Sequence, residues 1–514
     1  MQKLIELNNG RIEIRFPYTD GMVKRVKMLP LARWDALEKC WWLPKSNITA
    51  KLVRHFANEC GFTIEGRIVD MAQDANPVHK SDRTALYPYQ SQGVDFIHQN
   101  GGTCIVADDM GLGKTLEALW YIQESGVHSV LVVCPASVLY KWQAECKRWI
   151  NREAELVLTS KQKMNSHPIK IMSYGIMTSR SWELTDQVFD LVIFDESHAL
   201  QSVKSKRTKA AQLVNGRRKM FLTGTPMLNR PIDLYPMLNM VSPIEFGSYW
   251  SYVNQYCGAY RQTMGRKQFW VVNGASNTEE LKEKLQRFML RRSKQDVLKQ
   301  LPPITRSVVP LELSDRREYD FALRDLKTWL QVNGKSNKAT ALTKLNYLRQ
   351  IVGKSKVPVA LELAKDILSS PIGKLVMFAH HREVVQMLKN GLVEYGVDTI
   401  VGDDSLQKRA DTMHKFQNST LPRVLVISSA GGEGIDLYKA DNLIMVERAW
   451  NPGKEEQIEG RLHRIGQVNP VVAWYLVARN TIDQRVQDLI ENKRTLVGDL
   501  VGLPDIETLL LEEL

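Results

Sequence analysis

The stretch that most constrains this chain is residues 107–115, with the sequence ADDMGLGKT, which follows the apolar run 103–106. This order predicts a strand, a phosphate-binding loop and then a helix whose N-terminus faces an anion. A loop that wraps a polyphosphate needs glycines so that its backbone can approach the oxygens, a lysine for the β- and γ-phosphates, and a hydroxyl for Mg²⁺. The residues that supply these groups are Gly111, Gly113, Lys114 and Thr115.

The loop departs from the usual G-x-x-x-x-G-K-[ST] pattern at one position, because Asp108 stands where the first glycine is expected. Taken alone, an imperfect motif of this length is about as well explained by an ordinary glycine-rich turn. Motifs elsewhere in the chain are needed to distinguish these two interpretations.

Composition limits the class of protein. A chain of 514 residues exceeds one hydrophobic core, and 44% hydrophobic with 25% charged residues is typical of globular proteins. We expect a cytoplasmic protein with no membrane partner, because no apolar run approaches the roughly 20 residues of a span and the first ten residues are too polar for a signal peptide. The six cysteines show no metal-ligand spacing. A net charge of +12 favours a phosphate-bearing partner, although it could serve solubility alone.

A second acidic motif lies further along the chain. The apolar run 189–194 leads directly into Asp195 and Glu196, so both carboxylates are expected at the carboxyl end of a buried strand, where α/β sheets bind ligands. Asp195 would hold Mg²⁺, and Glu196 would orient or deprotonate the attacking water. Gln90, ahead of the loop strand, is placed where an amide could contact adenine.

The alternation of strands and helices predicts an α/β fold with several segments. We predict a small basic α+β module at 1–80, a first α/β block at 81–240, helical insertions and a linker at 241–370, a second α/β block at 371–500 and a C-terminal helix at 501–514. Within the first module, Val23 to Lys27 alternates like a strand, and Met71 to Thr84 has the composition of a linker.

The second block carries a glycine-rich turn at 429–437 and a basic segment around Arg461 and Arg464. These arginines are three residues apart, which predicts one helical face. Planar guanidinium groups placed in this way could reach a γ-phosphate, although an ordinary basic helix would have the same pattern.

In this order the segments resemble the Swi/Snf-type DNA-dependent ATPases of helicase superfamily two, over roughly residues 86–500. The resemblance rests on ADDMGLGKT at 107–115, VCPASVLYKW at 133–142, DESH at 195–198, LTGTP at 222–226, FMLRRSKQDV at 288–297, SAGGEGIDL at 429–437, WNP at 450–452 and RLHRIGQ at 461–467. It implies two RecA-like parallel-sheet lobes with helical insertions, ATP and Mg²⁺ as cofactors, and double-stranded DNA as the partner. Members of this family usually lack the first glycine, which accounts for Asp108.

The resemblance also implies roles for individual residues. Nucleotide binding is expected from Gln90, Asp108, Met110, Gly111, Leu112, Gly113, Lys114, Thr115, Gly434 and Asp436. Thr115 and Asp195 would bind Mg²⁺, and the catalytic residues would be Glu196, Lys114 and the arginine fingers Arg461 and Arg464. Contacts with DNA are expected from Ser137, Thr225, Ser428 and Ser429, and from Arg33 and Trp34 in the first module.

The first module is similar in pattern to the HARP-type domain of annealing helicases, through residues 23–27 and 33–44. This similarity implies a preference for forked DNA, with fork remodelling or strand annealing as the outcome. The compact layout suggests a protein of a bacterial cell or of a cell infected by a bacteriophage. Two alternatives stay open: a strand-separating DNA or RNA helicase, and a motor that displaces a DNA-bound protein such as RNA polymerase.

Overall fold

The computed structural model describes residues 4–8, 11–27, 29, 32–36, 38–44, 47–65, 82–224, 230–264, 267–272, 274–298, 301–333, 338–369, 373–429, 435–496 and 510–511. The chain divides into two compact units, with the division after Val297. No helix in these ranges is long and apolar enough to cross a membrane.

The N-terminal module is a small α+β fold, as the sequence predicts. Its elements are β1 (Leu4–Asn8), β2 (Arg11–Arg15), α1 (Asp20–Lys27), β3 (Arg33–Asp35), β4 (Cys40–Pro44), α2 (Asn47–Cys60) and β5 (Thr63–Glu65). The strands form one sheet in the order β3-β4-β2-β1-β5, in which only β1 and β5 are parallel. Its core contains Ile12, Ile14, Leu43 and Phe56.

The predicted strand at Val23 to Lys27 is wrong, since these residues lie in the helix α1. Val23 and Val26 are three residues apart and both belong to the core of the module, which is the helical spacing. The predicted linker falls largely on residues 66–81, outside the described residues.

The first large sheet is parallel throughout, in the order β14-β6-β11-β10-β7-β9-β8. Its strands are β6 (Cys104–Val106), β7 (Val130–Cys134), β8 (Ala154–Val157), β9 (Ile169–Ser173), β10 (Phe189–Asp195), β11 (Gly216–Leu222) and β14 (Met289–Leu290). The sequence VLVVC of β7 is buried at every position, because helices cover both faces of such a sheet.

The helices of this unit lie between the strands in sequence. They are α3 (Pro88–Gln99), α4 (Lys114–Glu124), α5 (Leu139–Ile150), α6 (Tyr174–Ser179), α7 (Glu183–Asp186), α8 (Lys206–Leu213), α9 (Tyr235–Val241), α10 (Tyr249–Tyr256), α11 (Thr278–Phe288) and α12 (Lys294–Val297). Short 3₁₀ turns occur at Ala136–Val138, Ser197–Leu200 and Pro231–Leu234. A separate antiparallel pair, β12 (Tyr260–Met264) and β13 (Lys267–Val271), follows α10.

The second unit contains another parallel sheet, in the order β15-β20-β19-β16-β18-β17. Its strands are β15 (Ile304–Leu311), β16 (Leu375–Phe378), β17 (Val397–Ile400), β18 (Val424–Ile427), β19 (Asn442–Met445) and β20 (Val471–Ala478). Its helices are α13 (Arg317–Asn333), α14 (Lys338–Leu368), α15 (Arg382–Gly391), α16 (Leu406–Asn418), α17 (Pro452–Leu462) and α18 (Ile482–Leu496), with a 3₁₀ turn at Val393–Tyr395. Two parallel sheets flanked by helices confirm the predicted pair of RecA-like lobes.

The stretch 241–370, predicted as helical insertions and a linker, contains strands as well as helices. Besides α10, α11, α13 and α14 it contains the β12–β13 hairpin, and it gives an edge strand to each large sheet, β14 to the first and β15 to the second. Pro310 lies within β15 and weakens its strand pattern, yet an edge strand tolerates a proline.

The predicted C-terminal helix lies almost entirely outside the described residues. Within 501–514 only Leu510 and Leu511 are described, and Leu510 is buried among the hydrophobic residues of the second unit.

Candidate nucleotide-binding site

The loop after β6 has the backbone that a phosphate cradle requires. Gly111 and Gly113 take φ angles of 85° and 89°, in the region that favours glycine. A Cβ on Gly113 would lie 2.3 Å from Nε2 of Gln90, so a larger residue is excluded by contact as well as by φ. Helix α4 begins at Lys114 directly after this glycine, which turns its first backbone N–H groups toward the loop.

The lysine of the loop folds back over it. The ammonium of Lys114 donates hydrogen bonds to the backbone carbonyl oxygens of Asp108 at 2.6 Å and of Asp109 at 3.2 Å. Both acceptors belong to the loop itself, so the positive charge lies above the turn that would hold an anion. The donor set of this loop therefore fits a nucleotide polyphosphate.

The acidic motif lies at the carboxyl end of β10, as predicted. Asp195 Oδ2 accepts a hydrogen bond from the indole N–H of Trp142 at 2.8 Å, and Asp195 Oδ1 accepts one from the backbone N–H of Glu196 at 2.9 Å. The hydroxyl of Tyr174 donates to the backbone oxygen of Asp195 at 2.8 Å. These three bonds fix both the carboxylate and the backbone of Asp195 at the edge of the sheet.

Electrostatics at Asp195 match a site for a divalent cation. Burial, together with the neighbouring carboxylate of Glu196, raises the pKa of Asp195 to about 6. A bound cation opposes both effects, because it favours the ionised carboxylate. No cluster of three or more His, Cys, Asp or Glu side chains able to hold a metal occurs in the described part of the chain. The carboxylate of Asp195 and the hydroxyl of Thr115 would nevertheless be a donor set that fits Mg²⁺ beside a polyphosphate. This ion keeps several waters and takes its other ligands from the phosphates.

Glu196 has an unusual backbone. Its φ of 49° is in the left-handed region, which is uncommon for a residue other than glycine, asparagine or aspartate. This conformation ends the strand and starts the 3₁₀ turn Ser197–Leu200, and the Glu196 carboxylate lies 3.4 Å from Nδ1 of His198. Such strain is typical of functional positions.

Strand order brings the loop and the acidic motif to one edge of the sheet. β11 lies between β6 and β10, and all three strands are parallel, so their carboxyl ends are neighbours. Thr223 follows β11, is fully buried, and donates its backbone N–H to Val106 O at 3.0 Å. Thr225, which the sequence analysis assigned to DNA contact, is outside the described residues.

Gln90 has partners that the sequence did not reveal. Its Oε1 accepts the backbone N–H of Tyr87 at 3.0 Å, and its Nε2 donates to Leu112 O at 2.9 Å. The amide thus caps α3 and supports the phosphate loop, and it would have to exchange one of these bonds to contact adenine.

The side chain of Asp108, which is predicted to contact the nucleotide, is fully buried and binds Arg292. Oδ1 accepts the backbone N–H of Arg292 at 2.8 Å, and Oδ2 accepts both Nε, at 3.0 Å, and Nη2 of the same residue. The backbone oxygen of Asp108, in contrast, accepts a hydrogen bond from the Lys114 ammonium.

Arg292 is the residue that the sequence analysis missed. Its guanidinium also donates to Glu117 Oε1 at 2.7 Å and to the backbone oxygen of Tyr89, and it lies 5.2 Å from the centroid of the Tyr89 ring. Burial raises the pKa of Glu117 to about 8; the charge of Arg292 offsets part of this rise, and the Asp108 carboxylate adds a smaller increase. One guanidinium therefore forms an ion pair with the buried Asp108 carboxylate and a hydrogen bond with the buried Glu117 carboxyl group.

The backbone around Arg292 is attached to the loop as well. β14 pairs with β6, and Ala107 N–H donates to Leu290 O at 2.7 Å. Asp109 N–H donates to Arg292 O at 3.0 Å, while the backbone N–H of Lys294 donates to Asp109 Oδ2 at 3.0 Å. The phosphate loop is thus held by a segment about 180 residues further along the chain.

In the second unit, the two predicted finger arginines are not on one helical face. Helix α17 ends at Leu462, so Arg461 lies in its last turn and Arg464 lies beyond it. Arg464 forms an ion pair with Asp436, and Arg461 Nη1 donates a long hydrogen bond, 3.5 Å, to Ile435 O. Gly434 is outside the described residues.

The serines predicted to face DNA differ in exposure. Ser137 lies in a 3₁₀ turn with its hydroxyl oxygen buried, and Ser428 is buried at the end of β18. Ser429 is partly exposed, and its hydroxyl is 3.1 Å from Nδ1 of His380. Arg33 and Trp34 are exposed on β3 of the N-terminal module.

A sequence profile of the SNF2-related domain matches residues 89–357, which is more than half of the chain. The chain belongs to the SNF2-related family. A second profile, the helicase conserved C-terminal domain, matches residues 356–466. The SNF2-related match includes the phosphate loop, the acidic motif and Arg292, so the network around Arg292 lies inside the family domain.

Curated relatives of this SNF2-related chain are longer proteins. The mouse "DNA annealing helicase and endonuclease ZRANB3" is 31% identical over 440 residues, covering 82% of this chain and 41% of the relative. The bovine "SWI/SNF-related matrix-associated actin-dependent regulator of chromatin subfamily A-like protein 1" is 32% identical over 534 residues, covering 96% of this chain and 55% of the relative. The chain thus spans about half the length of these relatives.

Among solved structures, the Sulfolobus solfataricus SWI2/SNF2 ATPase core in complex with double-stranded DNA is similar to this chain. The sequences are 25% identical, the match covers 86% of this chain and 98% of the other, and the TM-score is 0.40.

Proposed function

We propose that this SNF2-related chain is an ATP-dependent double-stranded DNA translocase. The observation that carries the proposal is the single sheet edge that gathers the phosphate loop, Thr223, Asp195 and Glu196 in a member of this family. A phosphate cradle beside a carboxylate pair is the arrangement that phosphoryl transfer to water requires.

Each residue at this edge has a distinct task in the proposed hydrolysis. The backbone N–H groups at the start of α4 and the Lys114 ammonium bind the phosphates, and Thr115 with Asp195 holds Mg²⁺. That cation supplies charge neutralisation between the phosphates when it is bound. Glu196 orients the attacking water and accepts its proton. Arg461 and Arg464 supply positive charge to the γ-phosphate, which requires Arg464 to leave its ion pair with Asp436.

DNA binding in this proposal depends mainly on phosphate contacts. A net charge of +12 supports such contacts, and they carry little sequence information. Ser429 is the proposed backbone contact whose side chain is partly exposed, whereas Ser137 and Ser428 need a local rearrangement before they can reach a phosphate.

The N-terminal module is proposed to direct the motor to forked DNA. On the outer face of its sheet, the guanidinium groups of Arg11 and Arg33 lie 5.5 and 5.6 Å from the Trp42 ring. Trp34 is on the opposite face, where its ring lies 5.6 Å from that of Trp41, and it is 52% exposed. Arginine beside tryptophan can hold phosphates and stack on unpaired bases. Fork remodelling or strand annealing is the proposed outcome, and the name of the ZRANB3 relative describes that protein as a DNA annealing helicase.

The test is the ATPase rate measured with matched duplex, forked DNA, single-stranded DNA and RNA. We expect strong stimulation by duplex and forked DNA, abolished in Lys114→Ala. Stimulation by RNA or by single strands alone would contradict a duplex motor and favour a strand-separating helicase. Absence of stimulation by every nucleic acid would favour a motor whose trigger is a DNA-bound protein.

A further inference from the structure

An exposed hairpin in the first unit has no role in the proposed ATP site. β12 and β13 pair antiparallel with Arg261 directly opposite Trp270, and no other described strand joins them. A two-stranded hairpin is only marginally stable by itself in water. Its position therefore depends on what packs against it.

Aromatic rings from α10 support one face of this hairpin. The Trp250 ring lies 5.4 Å from the Trp270 ring, and Tyr249 packs against Trp250 at 5.5 Å. The guanidinium of Arg261 also lies close to Trp270, 5.0 Å from the ring centroid. The result is a continuous row of Tyr249, Trp250, Trp270 and Arg261, which we term the hairpin stack.

The two indoles of the hairpin stack lie outside the hydrophobic core, whereas Tyr249 packs against it. Trp250 is 47% exposed and Trp270 is 41% exposed, while α10 is anchored by the buried residues Tyr252, Val253 and Tyr256. The helix thus has its core contacts without Trp250. Two large, half-exposed indoles side by side leave apolar surface in water, which is typical of a binding surface.

Charge limits which ligand this surface suits. Among the hairpin residues whose side chains the structure describes, Arg261 is charged and none is an aspartate or glutamate. Indole rings interleaved with cations match a nucleic acid strand, in which bases stack on the rings and phosphates meet the positive charge. In an intact duplex the bases are already stacked on one another, so only an unpaired nucleotide has a free face.

We propose that the hairpin stack binds an unpaired nucleotide of DNA, so that Trp270 and Trp250 stack on the base while Arg261 supports the ring and contacts the backbone. The site is separate from the N-terminal module, and it extends the proposed translocase to DNA in which a strand has been displaced. It rests on the proposed function only for its role during translocation, since binding itself needs no ATP.

The experiment measures the affinity of the full chain for a fork with two unpaired arms and for a blunt duplex of the same paired sequence, without nucleotide. We expect Trp270→Ala to lower fork affinity about tenfold, the usual loss for one stacked base, and to leave duplex affinity unchanged. Trp270→Tyr should retain most of the fork affinity, because tyrosine still stacks. Trp182→Ala is the matched control, since Trp182 is an indole that is 63% exposed just before α7.

Two results would overturn the inference: unchanged fork affinity in Trp270→Ala, or an equal loss for fork and duplex. A duplex-stimulated ATPase rate that stays normal in Trp270→Ala shows that the variant is folded. If the wild type shows no DNA-stimulated ATPase but its fork affinity depends on Trp270, the translocase proposal fails and the hairpin stack stands. If DNA stimulates the ATPase of the wild type but fork affinity does not depend on Trp270, the hairpin-stack proposal fails and the translocase proposal stands.

Discussion

At the scale of single residues, the clearest distinction is between side chains that face the nucleotide site and those that hold it in shape. Lys114 and Glu196 lie at the carboxyl edge of the sheet with their charged groups at the loop and the strand end. Asp108 and Gln90, in contrast, have their side-chain bonds inside the protein. The motif alone does not separate these two groups.

Glu196 is the residue whose loss should separate binding from hydrolysis. We expect Glu196→Gln to lower kcat for ATP at least about 100-fold, because a glutamine cannot accept the proton of water. Nucleotide affinity should stay close to that of the wild type, since the loop is untouched. Steady-state rates and nucleotide titration measure both values, with the exposed Glu283→Gln as control. A variant that retains most of its kcat would exclude Glu196 as the base.

Lys219 gives a prediction about pH. It is buried in β11 and donates to Ala211 O at 3.0 Å, and burial lowers its pKa from 10.5 to about 7. Between about pH 7 and 10.5 the unfolded chain therefore binds more protons at this residue than the folded chain, so stability rises with pH in this window. Lys219→Met removes this dependence, and its Tm relative to the wild type should be higher at pH 7 than at pH 9.5.

The comparison needs a lysine that is exposed to solvent. Lys209→Met, at an exposed position in α8, should shift Tm by the same small amount at both pH values. An equal difference between Lys219→Met and wild type at both pH values would contradict the account.

At the scale of elements, β14 and the residues after it hold the phosphate loop in place. Arg292→Ala leaves the Asp108 carboxylate buried without its cation and Glu117 without its hydrogen-bond donor, and removing one partner of a buried ion pair costs about 3–5 kcal/mol. We expect a lower free energy of unfolding of the first unit and weaker nucleotide binding. Urea unfolding and nucleotide titration are the measurements.

The neighbouring Arg291→Ala provides the matched control, because Arg291 is exposed. It should change neither stability nor nucleotide affinity. If Arg292→Ala behaved like Arg291→Ala, β14 would not support the loop.

Which elements could be predicted from the sequence follows from how local their signals are. The strands β6 and β10 are short apolar runs, and the loop glycines follow from a local need for positive φ, so both were found. β14 has only two residues and β15 contains Pro310, so neither has a strand pattern. Arg292 was missed for a different reason: its partners are about 180 residues away, and only the pairing of β14 with β6 brings them together.

At the scale of the whole molecule, net charge predicts how binding depends on salt. If phosphate contacts dominate, the logarithm of duplex affinity should fall linearly with the logarithm of salt concentration, with a slope of roughly −0.9 per phosphate contact.

Combined Arg33→Ala and Trp34→Ala substitutions should reduce fork affinity more than duplex affinity if the N-terminal module recognises unpaired strands. Fluorescence anisotropy over a salt series measures both, and equal losses on fork and duplex would remove the specific role of this module.

The central claim is movement along double-stranded DNA, and displacement of a third strand from a DNA triplex tests it most directly. We predict that the wild type releases the third strand only when ATP, Mg²⁺ and a duplex arm are present, and that Glu196→Gln binds the triplex without releasing the strand. An ATPase rate stimulated by duplex DNA without any release of the third strand would contradict a translocase.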